Sequence, residues 1–152
     1  MQKKITTFLT FNDQAEEAMN FYTSIFPDSR ILGTTPGPSG KLMSGTFELA
    51  GQEFMALNGG PTFGFAQGIS LFVDCETQDE VDELWEKLCE GGKPGPCGWL
   101  TDRFGVSWQV IPRALPELLG DEDPEKAKRV MEAMLQMSKI EVDGLRKAYE
   151  AA

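Results

Sequence analysis

The chain contains no histidine at all. That removes the usual general base near neutral pH, the partner of Ser–His and Cys–His nucleophile pairs, and the commonest metal ligand. Cysteine is scarce as well: Cys75, Cys89 and Cys97 are odd in number and lack CxxC spacing. Neither a disulfide framework nor a zinc site is predicted. Positive charge is short, with 14 Lys and Arg against 24 Asp and Glu and a net charge of −10. No basic run exceeds Lys3-Lys4, so phosphate backbones and anionic leaflets are poor partners: neither nucleic acid nor membrane is expected. There is also no apolar stretch of signal-peptide or membrane length, and the sequence enters a strand almost at once. A cytoplasmic protein is the expectation. What is present fits an ordinary globular core: 152 residues, 41% hydrophobic, ten of them Phe. That length predicts one domain over 1–152.

One pattern occurs twice. Behind Glu16-Glu17, the residues Ala18, Phe21, Tyr22 and Ile25 fall at i, i+3, i+4 and i+7; behind Asp79-Glu80, Val81, Leu84, Trp85 and Leu88 do the same. Each stripe predicts an amphipathic helix with acidic residues in its first turn, where the helix dipole favours them. Asn12 or Asp13 can cap the first helix and Thr77 the second. Apolar strands precede them, Ile5 to Phe11 and Ile69 to Asp74.

Further strands are expected at Ser29 to Thr34 and Leu42 to Leu49, and at Glu53 to Leu57 after a turn about Ala50-Gly51-Gln52. In the second half they fall at Trp99 and Val106 to Ile111, with an irregular stretch over Gly91 to Gly98. Asp102 and Gly105 stand where a type I turn wants them, which makes Trp99 to Ile111 a hairpin and Asp102-Arg103 surface turn chemistry. Chain order is therefore β-α-β-β-β twice: module one over 3–58, a linker over 59–67 with Phe63 and Phe65 free to cap a cavity, and module two over 68–112. A helical tail follows over 113–152. In it, Leu115 to Leu119 form a short helical turn and Asp123-Pro124-Glu125 starts a helix that runs to about Ser138. A last helix spans Glu141 to Tyr149.

The run Cys97-Gly98-Trp99-Leu100-Thr101-Asp102-Arg103-Phe104-Gly105-Val106-Ser107-Trp108-Gln109, the helix Asn20-Phe21-Tyr22-Thr23-Ser24-Ile25-Phe26 and the tail Ala133 to Ile140 carry a resemblance. Together they resemble the vicinal oxygen chelate (glyoxalase and bleomycin-resistance) superfamily, and within it the PhnB-like branch labelled as a 3-demethylubiquinone-9 3-methyltransferase domain. The resemblance implies an α+β fold: two tandem β-α-β-β-β modules forming a cupped mixed sheet that holds a small ligand, with a C-terminal helical extension. It also implies that the superfamily's metal ligands correspond to Thr7, Ser70, Ala56 or Asn58, and Gln109. Those are hydroxyls and amides, weak neutral donors for a catalytic first-row metal, so no metal and no cofactor is expected. S-adenosylmethionine binding in the common Rossmann-like fold needs a glycine-rich turn opening a helix after a strand; Gly59-Gly60 and Gly91-Gly92 do not stand there.

The expected function is a small apolar or aromatic ligand bound in the cup. Leu9, Phe11, Phe72 and Phe63 or Phe65 would be walls, and Thr7, Ser70, Asn58 and Gln109 would provide polar contacts. Gln109 stays open between a ligand-binding and a structural role. The alternative is an enzyme of the same superfamily, a metal-dependent lyase or the methyltransferase of the label. Alternation sets Trp108 with Val106 and Val110 toward the core and Ser107 with Gln109 toward the cup. Cys97, without a His to activate it, reads as a small hydrophobe. Met131, Met134 and Met137 read as helix packing. The tail stripe of Val130, Met134 and Leu135, together with open sheet edges, predicts a homodimer.

Overall fold

A computed structural model of the protein describes residues 4–151. Lys3, where module one is expected to begin, and Ala152, where the tail is expected to end, lie outside the described residues. The chain forms two compact units, one ending at Gly64 and the other beginning at Phe65.

The first unit runs β1 (Thr7–Phe11), α1 (Ala15–Ile25), β2 (Arg30–Pro36), β3 (Leu42–Leu49) and β4 (Gln52–Asn58), in sheet order β1-β4-β3-β2. The second runs β5 (Leu71–Cys75), α2 (Gln78–Cys89), β6 (Lys93–Pro94), β7 (Trp99–Thr101) and β8 (Ser107–Pro112), in order β5-β8-β7-β6. In each, the first strand pairs parallel with the last and the other pairings are antiparallel. The tail adds α3 (Ala114–Leu119), α4 (Pro124–Leu135) and α5 (Val142–Glu150). The architecture is α+β, with two mixed four-stranded sheets built on the same β-α-β-β-β order that the sequence predicts.

Local causes are clear in the helices. α2 buries Val81, Leu84 and Leu88, and its Thr77 hydroxyl accepts from Glu80 N at 3.2 Å, a side-chain N-cap. α4 starts on Asp123, whose carboxylate accepts from Glu125 N at 3.0 Å, with Pro124 at the first helical position. α1 differs from expectation. Neither Asn12 nor Asp13 caps it; the free N–H of Ala15 donates instead to Asn58 Oδ1 at 2.8 Å, from the far end of β4. Its buried stripe is Ala15, Ala18, Met19 and Tyr22. Met19 sits so close to β3 that a Cβ on Gly45 would lie 2.7 Å from its Sδ, so glycine is what permits the approach.

Two strand starts move inward. Ile5 and Ile69 are exposed and precede β1 and β5, because their apolar character is not matched by ladder partners. β6 is a two-residue strand inside the stretch expected to be irregular; with Pro94 it carries no alternation to read.

The tail stripe is covered within the chain at Val130 and Met134 but not at Leu135, so only part of the apolar area behind the dimer expectation is open. Val130 is fully buried with Ile111, Leu115, Ile140 and Leu145, and Met134 and Met137 pack against that cluster. Met131 and Leu135 remain exposed on α4.

Candidate functional site

A sheet with a helix on one side leaves its other face for a ligand, so the register decides which side chains are eligible. In the first unit the helix side is marked by aromatic packing: Tyr22 of α1 stacks on Phe47 of β3 at 6.4 Å, and Phe47 on Phe54 of β4 at 5.4 Å. Thr7 pairs with Phe54, Leu9 with Ala56 and Phe11 with Asn58, so these β1 residues share the helix side. Leu9 and Phe11 are accordingly buried core, not pocket walls. The open face belongs to Phe8 beside Met55 and Thr10 beside Leu57. Both Phe8 and Met55 are exposed. Asn58 is also committed elsewhere. Besides accepting from Ala15, its Nδ2 donates to Leu42 O at 3.1 Å, so it fastens α1 and β3 to β4. Phe63 lies over Gly59, where a Cβ would meet its ring at 3.1 Å. A groove of about 320 Å³ opens beside α1, lined by Met19, Ile31, Thr34 and Leu42 among others.

In the second unit the helix side holds Trp108 beside Leu71 and Leu100, and Val110 beside Val73. The opposite face carries Phe72, Gln109 and Trp99 in one row across β5, β8 and β7, with Ser107 beside Thr101. Gln109 Nε2 donates to Ser70 Oγ at 3.0 Å. Phe72 is 59% exposed, which is high for a phenylalanine on a sheet. Ser70, Phe72 and Gln109 are thus brought together on one open face, with Trp99 joining them. Phe65, offered as a cavity cap, lies by the turn instead: a Cβ on Gly105 would be 3.7 Å from its ring.

The hairpin holds a group that sequence reasoning misjudges. Asp102 is not surface turn chemistry; only 3% of it is exposed. Its Oδ1 accepts from the N–H groups of Phe104 at 2.9 Å and Val106 at 3.0 Å, and its Oδ2 accepts from Trp108 Nε1 at 2.8 Å. Gly105 N closes the expected turn onto Asp102 O at 3.0 Å, with Gly105 at φ +92°. Three donors on one carboxylate satisfy its buried charge and fix the indole of Trp108. The turn position of Asp102 in the sequence signals the backbone bonds, and the Trp six residues on is the only hint of the third.

Electrostatics around this face are modest. Burial, with help from the carboxylates of Glu80 and Asp74, pushes the Cys75 thiol up to about 12, so it stays protonated near neutral pH. Arg113 bridges Asp74 at 3.0 Å and Glu76 at 3.1 Å at the exposed end of β5, and those partners hold its guanidinium protonated still more firmly. Cys97 is half-buried in the loop before β7, at φ +58°.

The donor set does not suit a catalytic metal. Thr7 lies on the helix side, both ends of the Asn58 amide are used, and Ser70 and Gln109, which face each other, are neutral. Among the described residues, no three His, Cys, Asp or Glu come together to hold an ion. Nor do the glycine pairs form the strand-to-helix turn that S-adenosylmethionine binding in a Rossmann-like fold needs. Gly59 and Gly60 donate back to Phe11 O and Asn12 O after β4, and Gly91-Gly92 follows α2.

Comparison with known proteins gives a consistent picture. The family model described as 3-demethylubiquinone-9 3-methyltransferase matches residues 3–111. Among solved structures, the PhnB protein from Bacillus cereus, which carries the same methyltransferase name, is 40% identical with a TM-score of 0.67; the match covers 72% of this chain and 99% of that one. A protein from Pseudomonas aeruginosa is 23% identical with a TM-score of 0.61, covering 73% and 98%. FosX, a fosfomycin resistance protein from Listeria monocytogenes solved with Mn(II) and sulfate, is 16% identical with a TM-score of 0.54, covering 72% and 92%; that likeness is one of fold. No match is found among curated proteins. The family match stops at residue 111, so α3, α4 and α5 lie beyond it.

Proposed function

The chain belongs to the 3-demethylubiquinone-9 3-methyltransferase family, with PhnB and glyoxalase-like proteins as structural neighbours, and from that premise we propose that it binds a small apolar or aromatic ligand without a transition metal. The ligand lies on the open face of the second sheet. The observation that carries this reading is the Gln109–Ser70 pair at 3.0 Å, set in a row with the exposed Phe72 and with Trp99. Small-molecule sites combine apolar and aromatic walls with a few polar groups that fix orientation. Ser70 accepts from Gln109 and keeps its own proton to give to a carbonyl or phenol oxygen of the ligand. Phe72 and Trp99 supply flat apolar area, and no charged group is needed.

The test is a thermal-shift and fluorescence titration with 1-naphthol, a neutral aromatic carrying one hydroxyl. Saturable binding that Gln109→Ala weakens about tenfold, roughly the worth of one or two hydrogen bonds, supports the reading. No binding, or no effect of the substitution, overturns it. Elemental analysis of protein purified without chelators should find no stoichiometric zinc, nickel or iron, and Gln109→Glu should leave that unchanged, since a single carboxylate lacks companions. One equivalent of such a metal would put a superfamily lyase first. The family name favours a second reading, a methyltransferase, and stabilisation by S-adenosylmethionine at micromolar levels would favour it.

For assembly we propose a homodimer. Each sheet ends in edge strands, β1 and β2 in one and β5 and β6 in the other, and Phe8, Phe72, Met131 and Leu135 stay exposed. A monomer mass by light scattering at micromolar concentration would refute it. Among the described residues no helix is long and apolar enough to cross a membrane. The three free cysteines support a reducing, cytoplasmic location.

A further inference from the structure

The tail meets the second module at the loop that carries Trp99 onto the ligand face. In that loop Gly95 N donates to Trp99 O, Trp99 N donates to Pro96 O, and Gly98 O accepts from Val110 N of β8. Between them Cys97 and Gly98 take successive left-handed backbones, φ +58° and +85°. A cysteine adopts that conformation only where its surroundings impose it. The surroundings here are the tail: Cys97 N donates to Met137 O and Gly98 N to Ser138 O, each at 2.8 Å, and Ser138 Oγ donates to Gly95 O at 2.6 Å. A Cβ on Gly98 would meet Ile111 Cδ1 at 2.7 Å and Ile140 Cγ1 at 3.0 Å, so sheet and tail touch through this glycine.

Gln78, the first residue of α2, grips the same tail segment from the other side. Its Nε2 donates to Ile140 O at 3.0 Å and its Oε1 accepts from Val142 N at 2.7 Å. Lys139 adds an ion pair to Asp82 at 2.7 Å. Ile111 stands two residues after Gln109 on β8, and the tail cluster of Val130, Ile140 and Leu145 buries it. One end of β8 is therefore covered, while the row of Phe72, Gln109 and Trp99 is left open.

We propose that the tail segment Met137 to Ile140 is a positioning element of the ligand face, holding Trp99 beside Gln109 as a wall for a flat aromatic ligand, with Gln78 as the positioning residue that seats it. The proposal rests on the reading of that face as the ligand site. It gives the tail, which the family match does not reach, a part in binding.

Full-length Gln78→Ala tests it. Amide exchange at Cys97 and Gly98 should quicken about tenfold without any ligand, as the tail opens locally. The dissociation constant for 1-naphthol should rise about fivefold. Gln78→Glu keeps an acceptor for Val142 N but sets a carboxylate against Ile140 O and against Asp82, which accepts from Gln78 Nε2 at 3.0 Å, so both effects should persist. Leu88→Ala, which loosens the other end of α2, should change neither. If Gln78→Ala does not fold, Ser138→Ala removes only the bond to Gly95 O and should give the same changes at smaller size. Unchanged Cys97 and Gly98 exchange while Val142 opens would overturn the proposal, as would opened exchange with unaltered 1-naphthol binding. If the wild-type protein fails to bind 1-naphthol, the ligand-face reading falls and with it the ligand role of Trp99. The exchange data then decide separately whether the tail holds the Cys97–Trp99 backbone.

Discussion

The first module holds its sheet with stacked aromatics and the second with a buried carboxylate. Strand order and orientation are the same in both. In the first, Tyr22, Phe47 and Phe54 stack, and β2 and β3 run seven and eight residues. In the second, Trp108 is oriented by Asp102, and the corresponding β6 and β7 shrink to two and three residues. Where the second sheet runs short of ladder, the tail supplies carbonyls at Met137 and Ser138. Strand order is thus the same in both halves, while each half settles separately how its core is filled and its short strands are braced.

The comparison can be pressed from the largest effect down. Phe47→Ala should destabilise the protein by about 3–5 kcal/mol, since a fully buried ring between two others leaves a cavity, and denaturant unfolding measures it. Asp102→Ala should lose about 3 kcal/mol by leaving three N–H groups without their acceptor, and it should shift tryptophan emission to the red. Asp102→Asn, which keeps one oxygen for the turn but sets an amide against the Trp108 N–H, should lose about half as much. If Asp102→Ala proves as harmless as a surface change, the contrast between the two cores collapses.

Asn58→Ala should lose about 1–2 kcal/mol through the uncapped Ala15 and the released Leu42. Asn58→Asp should recover the part owed to the cap. The smallest effect is a pH dependence. The raised Cys75 value favours the folded thiol, so its contribution is full below the ordinary 9.0 and is lost as pH rises toward about 12. Thiol labelling of the native protein at pH 8 should accordingly reach Cys75 last, at the rate of unfolding; rapid labelling there would show that the burial behind the shift is wrong.

What the sequence disclosed followed from short-range periodicity. The α2 stripe, the Asp123-Pro124 helix start, the Asp102–Gly105 turn and the order of strands all rest on residues within about two turns of each other. What it concealed needed partners far along the chain. In β1, Phe8, Leu9 and Phe11 place apolar side chains on both faces, so alternation could not say which side meets α1; pairing with Phe54 and Ala56 does. The cap of α1 comes from a residue 43 positions away. The burial of Val130 depends on Ile111 and Ile140, which periodicity on α4 alone cannot reveal.

The parallel pairing of the first and last strands of each module also orders events in time. Among the described residues, β1 pairs in its sheet with β4 alone and β5 with β8 alone. On a chain emerging from the ribosome, β1 waits unpaired until β4 is made, and Asn58 at its end simultaneously seals the first turn of α1. Non-local closure of this kind slows the search for the native state. Each module's sheet can therefore close only once its last strand is made, leaving its apolar first strand unpaired until then.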